Sequence, residues 1–91
     1  MMSKTIWKYP LATTDSQLVS MPAGANILTV QTQKGVPCLW ALVDPSNPVR
    51  DRCIRIYGTG HPLPRTVERF IGSYQLHNGD LVFHVFEEQP K

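Results

Sequence analysis

Prolines and glycines are the feature that most constrains how this chain can fold. Eight prolines and six glycines divide its 91 residues into short segments. Proline blocks the interior of a helix, and glycine favours turns because it tolerates positive φ. Between these breaks the sequence is rich in Val, Ile, Thr and aromatic residues that alternate with polar ones at period two. The pattern therefore predicts a mainly β protein.

We predict seven strands and one helical turn. The turn would lie at Arg65–Arg69, because Pro62 and Pro64 exclude a longer helix upstream. A chain of this length can bury one core, so we expect a single domain over residues 1–91. Strands at the observed turn spacing predict a compact antiparallel β-sandwich or a partly open barrel. The predicted strands are Thr5–Tyr9, Gln17–Met21, Ile27–Gln33, Val36–Val43, Arg52–Tyr57, Phe70–His77 and Leu81–Glu87.

The pair Asn78-Gly79 predicts a tight hairpin between the last two strands. These residue types tolerate the positive φ that both central positions of a type I′ turn require. Such a turn fixes the register and assigns every side chain to one face. The expected core pairs are Leu76 with Leu81, Tyr74 with Phe83 and Gly72 with Val85. The opposite, mixed face would carry Ser73, Gln75, His77, Val82 and His84.

Lys34-Gly35 predicts a second hairpin, in which Gln33 lies opposite Val36. Its expected core face carries Leu28, Val30, Leu39 and Ala41. Its other face would carry Thr29, Gln31, Cys38 and Trp40, with Ile27 and Leu42 at the far end. Two interpretations of Trp40 stay open: it is covered by a second sheet or the N-terminal strand, or it is a stacking platform or subunit contact.

Composition and charge exclude several classes of protein. Hydrophobic residues make up 42% and charged residues 18%, which is typical of a folded domain. A net charge of +2 is too small to indicate duplex nucleic acid as the partner. The sequence has neither a secretion signal nor an apolar run of membrane-spanning length, so we expect a soluble cytoplasmic protein. Cys38 and Cys53 would then be reduced, small, buried hydrophobes.

The arginines are concentrated in one part of the chain. All five lie between positions 50 and 69, opposed there only by Asp51 and Glu68, and they flank the segment Tyr57–Pro62. Arginine grips phosphate with two hydrogen bonds, tyrosine stacks on bases, and a glycine-rich turn lets a ligand approach the backbone. The alternative is the arginine-bearing rim of an ordinary β protein. The candidate ligand-binding residues are Trp40, Arg52, Arg55, Tyr57, Thr59, His61 and Arg65.

The sequence gives little support to a metal site or to catalysis. His77 and His84 share a face of the last hairpin, but the register separates them by about 13 Å at ~3.3 Å per residue. No other spacing matches a zinc pattern, and no acid is visibly paired with a His or Ser. We therefore expect no metal, no cofactor and no enzymatic activity.

Five segments of the chain resemble a small family of uncharacterised proteins that occur mostly in phages and prophages. The resemblance extends over nearly the whole chain and implies a phage-encoded protein in the bacterial host cytoplasm, without an assigned reaction. The segments are KYPL at residues 8–11, MPAGA at 21–25, PCLWALVDP at 37–45, RIYGTGH at 55–61 and LVFHVF at 81–86.

We expect a non-enzymatic, homo-oligomeric binding protein. Small phage proteins often counteract host defence, some by sequestering nucleotide signals, and the arginine-rich region suits a nucleotide-type or otherwise phosphorylated small ligand. The alternative function is a protein–protein inhibitor of a host defence protein, or a virion accessory protein, that acts through the face of Trp40.

Overall fold

The computed structural model describes residues 3–65 and 69–88, which form seven β-strands and one short 3₁₀ turn at His77–Gly79. Each predicted strand is present, with ends within three residues of the predicted ones. The predicted helical turn at Arg65–Arg69 falls largely on residues 66–68, which lie outside the described residues. The strands are β1 (Thr5–Pro10), β2 (Ser16–Pro22), β3 (Asn26–Gln33), β4 (Val36–Val43), β5 (Val49–Gly58), β6 (Arg69–Leu76) and β7 (Leu81–Glu87).

The strands form two antiparallel sheets that pack as a sandwich. The three-stranded sheet, here called sheet A, has the order β1-β4-β3. The four-stranded sheet, here called sheet B, has the order β2-β5-β7-β6. Every adjacent pair is antiparallel, and the described strands form two separate sheets. The predicted mainly β sandwich is thus confirmed, and none of the helices in the described residues could cross a membrane.

The core lies between the two sheets and is built from alternate residues of the central strands. Leu39, Ala41 and Val43 of β4 are fully buried and face Ile54 of β5 and Val85 of β7. Because neighbouring side chains on a strand point to opposite faces, the intervening residues must point away from the core. Each sheet therefore has an inner, core-lining face and an outer face.

The hairpin of β6 and β7 has the predicted register. Leu76 pairs with Leu81, and Gly72 pairs with Val85. Asn78 has φ 54° and ψ 33°, Gly79 has φ 90°, and the N–H of Asp80 donates to the carbonyl of His77 over 3.1 Å. Positive φ at both Asn78 and Gly79 is as the Asn-Gly pair predicts. His77 also has positive φ, at 52°, so β6 ends at Leu76 rather than at the predicted His77, and four residues separate the paired Leu76 and Leu81.

The hairpin of β3 and β4 has the predicted register next to its turn, but one predicted core residue is wrong. Gln33 pairs with Val36, and the register then shifts between Ile27 and Thr29. The shift is a bulge that inserts Leu28 as an extra residue, and beyond a bulge the two faces exchange. Ile27 is consequently buried in the core, whereas Leu28, predicted to be buried, is 46% exposed.

The two sheets come closest where β3 packs beside β6. Gly72 makes this possible, because a Cβ atom at this position would lie only 3.0 Å from Cγ1 of Val30. Any larger residue would force the strands apart or displace the valine. The glycine therefore fixes one side of the sandwich and with it the position of β6 in sheet B.

The turn geometry gives a stability prediction. Gly79→Val places a β-branched residue at φ 90°, and we expect a loss of about 1–3 kcal/mol in the free energy of unfolding. Chemical denaturation measures it. Asn78→Gly, which keeps positive φ accessible, is the control and should lose less than about 1 kcal/mol. Equal stability of Gly79→Val and the unmodified protein would contradict the turn assignment.

Candidate ligand-binding face

The alternation along β5 divides the arginine-rich region between the two faces of sheet B. Ile54 and Ile56 are buried in the core, so the even-numbered residues of this strand point inward. Arg55 and Tyr57 therefore point outward, away from sheet A. On the outer face of sheet B, an arginine and a tyrosine of the same strand thus lie side by side.

The register across sheet B places further residues beside these two. Arg55 pairs with Phe86 of β7, which pairs with Phe70 of β6. Tyr57 pairs with His84, which pairs with Ser73. Six side chains thus form two adjacent rows, and we call this surface the sheet B face: Arg55, Tyr57, Phe70, Ser73, His84 and Phe86.

Three aromatic rings form the apolar part of the sheet B face. The ring of Phe86 meets Tyr57 at a centroid distance of 5.6 Å and Phe70 at 5.3 Å, both edge to face. Edge-to-face contacts are a favourable geometry for aromatic pairs. Phe70 is 56% exposed although it belongs to a strand. The cluster therefore offers apolar ring surface to a ligand at the outside of the molecule.

His84 is held at the centre of the sheet B face by two hydroxyl groups. Its Nδ1 lies 2.8 Å from Oγ of Ser73, and its Nε2 lies 2.8 Å from Oγ1 of Thr59. Thr59 also donates its hydroxyl proton to the carbonyl of Val82 over 3.2 Å. These hydrogen bonds fix the orientation of the imidazole ring, so it contributes a rigid polar group to the face.

Arg55 supplies the positive charge of the face. Its guanidinium Nη1 lies 4.0 Å from Oε2 of Glu88, and its side chain is 31% exposed. A partly exposed pair of this length contributes little to stability. The position of Glu88 shows that an anionic group can reach the guanidinium of Arg55 at this face.

Cys53 lies two residues before Arg55 on β5, beside Ser16 and Glu88. Burial raises the pKa of its thiol, and a hydrogen bond with Glu88 adds to the effect. The sulfur is then protonated at neutral pH and is a poor nucleophile. Cys38 is also a free cysteine and is buried in sheet A.

Arg52, a candidate from the sequence, lies away from the sheet B face. It points inward, binds the carboxylate of Glu87 with two hydrogen bonds and donates to the carbonyl of Ala25 over 2.9 Å. Arg69 approaches the same carboxylate at 3.9 Å. Glu87 is 5% exposed, so this cluster closes one end of the core with paired charges. The role of Arg52 visible in the structure is structural.

The other candidates from the sequence are distributed over several places. Thr59 reaches the sheet B face through His84. His61 packs over Gly58, with its ring 3.1 Å from where a Cβ atom would lie, and Gly58 belongs to the inward-pointing residues of β5. Arg65 is exposed in the segment between β5 and β6. Trp40 lies on the outer face of sheet A.

The surroundings of Trp40 leave part of its ring open. Lys8 and Thr29 are its register partners on β1 and β3, and Nζ of Lys8 lies 6.0 Å from the ring centroid. The N-terminal strand β1 pairs with the edge of β4 rather than covering the tryptophan. Ile6 and Leu28 are exposed by 56% and 46% on the same sheet.

The sequence analysis missed Ser73, His84, Phe70 and Phe86 as site residues. The predicted hairpin register already placed Ser73 and His84 together on the mixed face, which was a usable signal. The pairing of β7 with β5 joins them to Tyr57, and this contact is not encoded locally. Within residues 3–65 and 69–88, no group of three or more His, Cys, Asp or Glu side chains could hold a metal ion.

Comparisons with known proteins give one match. The sequence profile of a family described as Domain of unknown function (DUF7352) matches residues 2–91. Among the curated proteins and the solved structures, none matches the chain.

The contacts of Arg52 predict that this residue stabilises the fold. Arg52→Ala removes the main partner of a buried carboxylate, and we expect a loss of about 1.5–3 kcal/mol in the free energy of unfolding. Arg50→Ala, which removes an equal charge from an exposed position of the same strand, should change stability by less than about 0.5 kcal/mol. Denaturant titration of both variants is the measurement, and equal losses would contradict the structural role of Arg52.

Proposed function

The chain belongs to the family of the domain of unknown function DUF7352, and we propose that it is a non-enzymatic protein that binds a nucleotide-type or otherwise phosphorylated small ligand on the sheet B face. One observation carries the proposal: Arg55 lies beside three aromatic rings on an outer face of the sandwich. Guanidinium groups bind phosphate with two hydrogen bonds. Aromatic side chains stack on bases of any sequence. A nucleotide combines both partners in one molecule.

The hydrogen bonds of His84 support binding rather than catalysis. A histidine that acts as a general base is commonly oriented by a carboxylate. Here both ring nitrogens contact hydroxyl groups, those of Ser73 and Thr59. The carboxylate of Glu88 faces Arg55 instead. We therefore assign no reaction to this face.

The biological setting of the proposal is phage counter-defence. The sequence resembles proteins of phages and prophages, and a protein that sequesters a nucleotide immune signal needs tight recognition of an anion without chemistry. The protein would act in the bacterial host cytoplasm, and its ligand would be a phosphorylated signalling molecule.

A second candidate function is inhibition of a host defence protein, or service as a virion accessory protein, through the outer face of sheet A. The observation that favours it is the partly open Trp40 ring beside the exposed side chains of Ile6 and Leu28. A large aromatic residue surrounded by apolar contacts is typical of the energetic centre of a protein interface.

Single substitutions distinguish the two functions. Arg55→Ala should weaken binding of a phosphorylated ligand by about 1.5–3 kcal/mol, since a hydrogen-bonded charge is lost, and should leave the fold intact. Arg50→Ala is the charge-matched control and should retain native affinity. Isothermal titration against cyclic oligonucleotides and ADP-ribose derivatives, with circular dichroism on each variant, provides the measurement.

The opposite pattern would favour the second function. A protein interface centred on Trp40 should lose about 2 kcal/mol or more on Trp40→Ala and be unaffected by Arg55→Ala. The absence of any phosphorylated binder, together with a host protein whose binding depends on Trp40, would end the nucleotide proposal.

We also propose that the protein is a homo-oligomer, most simply a C2 dimer. The two outer faces carry large apolar side chains outside the sheet B face, among them Leu18 of β2 at 66% and Ile6 of β1 at 56% exposure, and a small domain buries only about 60% of its unfolded surface. Light scattering at tens of micromolar protein should give the mass of a dimer. A monomer mass under these conditions would contradict the proposal.

A further inference from the structure

The hydrogen bonds around His84 determine which of its nitrogens carries the proton. A hydroxyl group has one proton, and a carbonyl oxygen can only accept. A ring protonated at Nε2 donates to Oγ1 of Thr59 at 2.8 Å and leaves the threonine proton for the carbonyl of Val82 at 3.2 Å, which also accepts the backbone N–H of Thr59. A ring protonated at Nδ1 would need the same threonine proton at Nε2, and the side-chain contact with the carbonyl would not be a hydrogen bond. The Nε2-protonated tautomer is therefore the one in which all of these contacts are hydrogen bonds.

This tautomer determines how Ser73 faces a ligand. An unprotonated Nδ1 is an acceptor, so the hydroxyl proton of Ser73 points to it over 2.8 Å. The two lone pairs of Oγ remain, and Ser73 is exposed. Ser73 therefore presents an acceptor, and no donor, to anything bound on the sheet B face.

Arg55 and Ser73 lie at opposite corners of the sheet B face. The guanidinium of Arg55 can only donate hydrogen bonds, so the Arg55 corner binds acceptor groups and the Ser73 corner binds donor groups. Strands lie about 4.8 Å apart and two residues along a strand cover about 6.7 Å, so their Cα atoms are separated by roughly 12 Å. Phe86 and His84 lie between them. This separation is comparable to the length of a mononucleotide.

We propose that the sheet B face selects nucleotides whose base carries an exocyclic amino group, such as adenine nucleotides. The phosphate contacts Arg55, the base lies over the aromatic rings, and the exocyclic amine donates to Oγ of Ser73. Ser73 is then a specificity-determining residue, and His84 is the positioning residue that orients its hydroxyl. The inference rests on the proposed nucleotide-binding function.

The test compares two probes that differ only at the amine. AMP can donate from its exocyclic nitrogen, whereas N6,N6-dimethyl-AMP cannot. Isothermal titration of the full chain should give AMP roughly 2- to 10-fold tighter binding, the effect of one neutral hydrogen bond. In Ser73→Ala this ratio should fall to about one. In Ser20→Ala, a control serine on the same side of sheet B, the ratio should be that of the unmodified protein.

A second readout needs no ligand. The ¹⁵N chemical shifts of the His84 ring at pH 8 should be those of the Nε2-protonated tautomer. An Nδ1-protonated ring would overturn the inference even if AMP binds. Equal affinities for the two probes, or discrimination that survives in Ser73→Ala, would also overturn it while leaving the proposed function in place. Failure of both probes and of every other nucleotide to bind would end the inference and the proposed function together.

Discussion

Two tight turns determine which side chains of this protein face the core and which face outward. Lys34-Gly35 and Asn78-Gly79 both place consecutive residues at positive φ, which sets the strand register on either side. Because strand side chains alternate with a period of two, a shift by one residue would exchange the whole inner and outer sets. The burial of Tyr74 and Val85, and the outward position of Ser73 and His84, follow from the second turn. The sheet B face exists because of this register.

The sequence predicted the strands and both hairpins because these depend on local chemistry. Turn residues and period-two alternation act over a few positions and leave a readable pattern. The bulge at Leu28 left no such pattern, since Ile27 and Leu28 are equally apolar and either could occupy the core. The pairing of β1 with β4 and of β7 with β5 joins distant segments, and only the folded chain reveals it.

The candidate site was predicted in part, and the reasons for the failures are physical. Arg55 and Tyr57 are separated by one residue along β5, so both point to the outer face of sheet B. Arg52, Ile54 and Ile56 are alternate residues of the same strand. Alternation alone therefore predicts that Arg52 points to the inner side, where it pairs with Glu87. The link from Thr59 through His84 to Ser73 joins three strands or strand ends, and no sequence spacing encodes it.

The central claim is that a nucleotide-type ligand binds on the outer face of sheet B. The most direct test is an NMR titration of the ¹⁵N-labelled protein with a panel of nucleotides, in which the backbone amide resonances are monitored. The account predicts saturable shifts concentrated at Arg55, Tyr57, Ser73 and His84, with the amides of β4 around Trp40 unchanged. Shifts confined to the surroundings of Trp40, or a spectrum that no nucleotide alters, would contradict it.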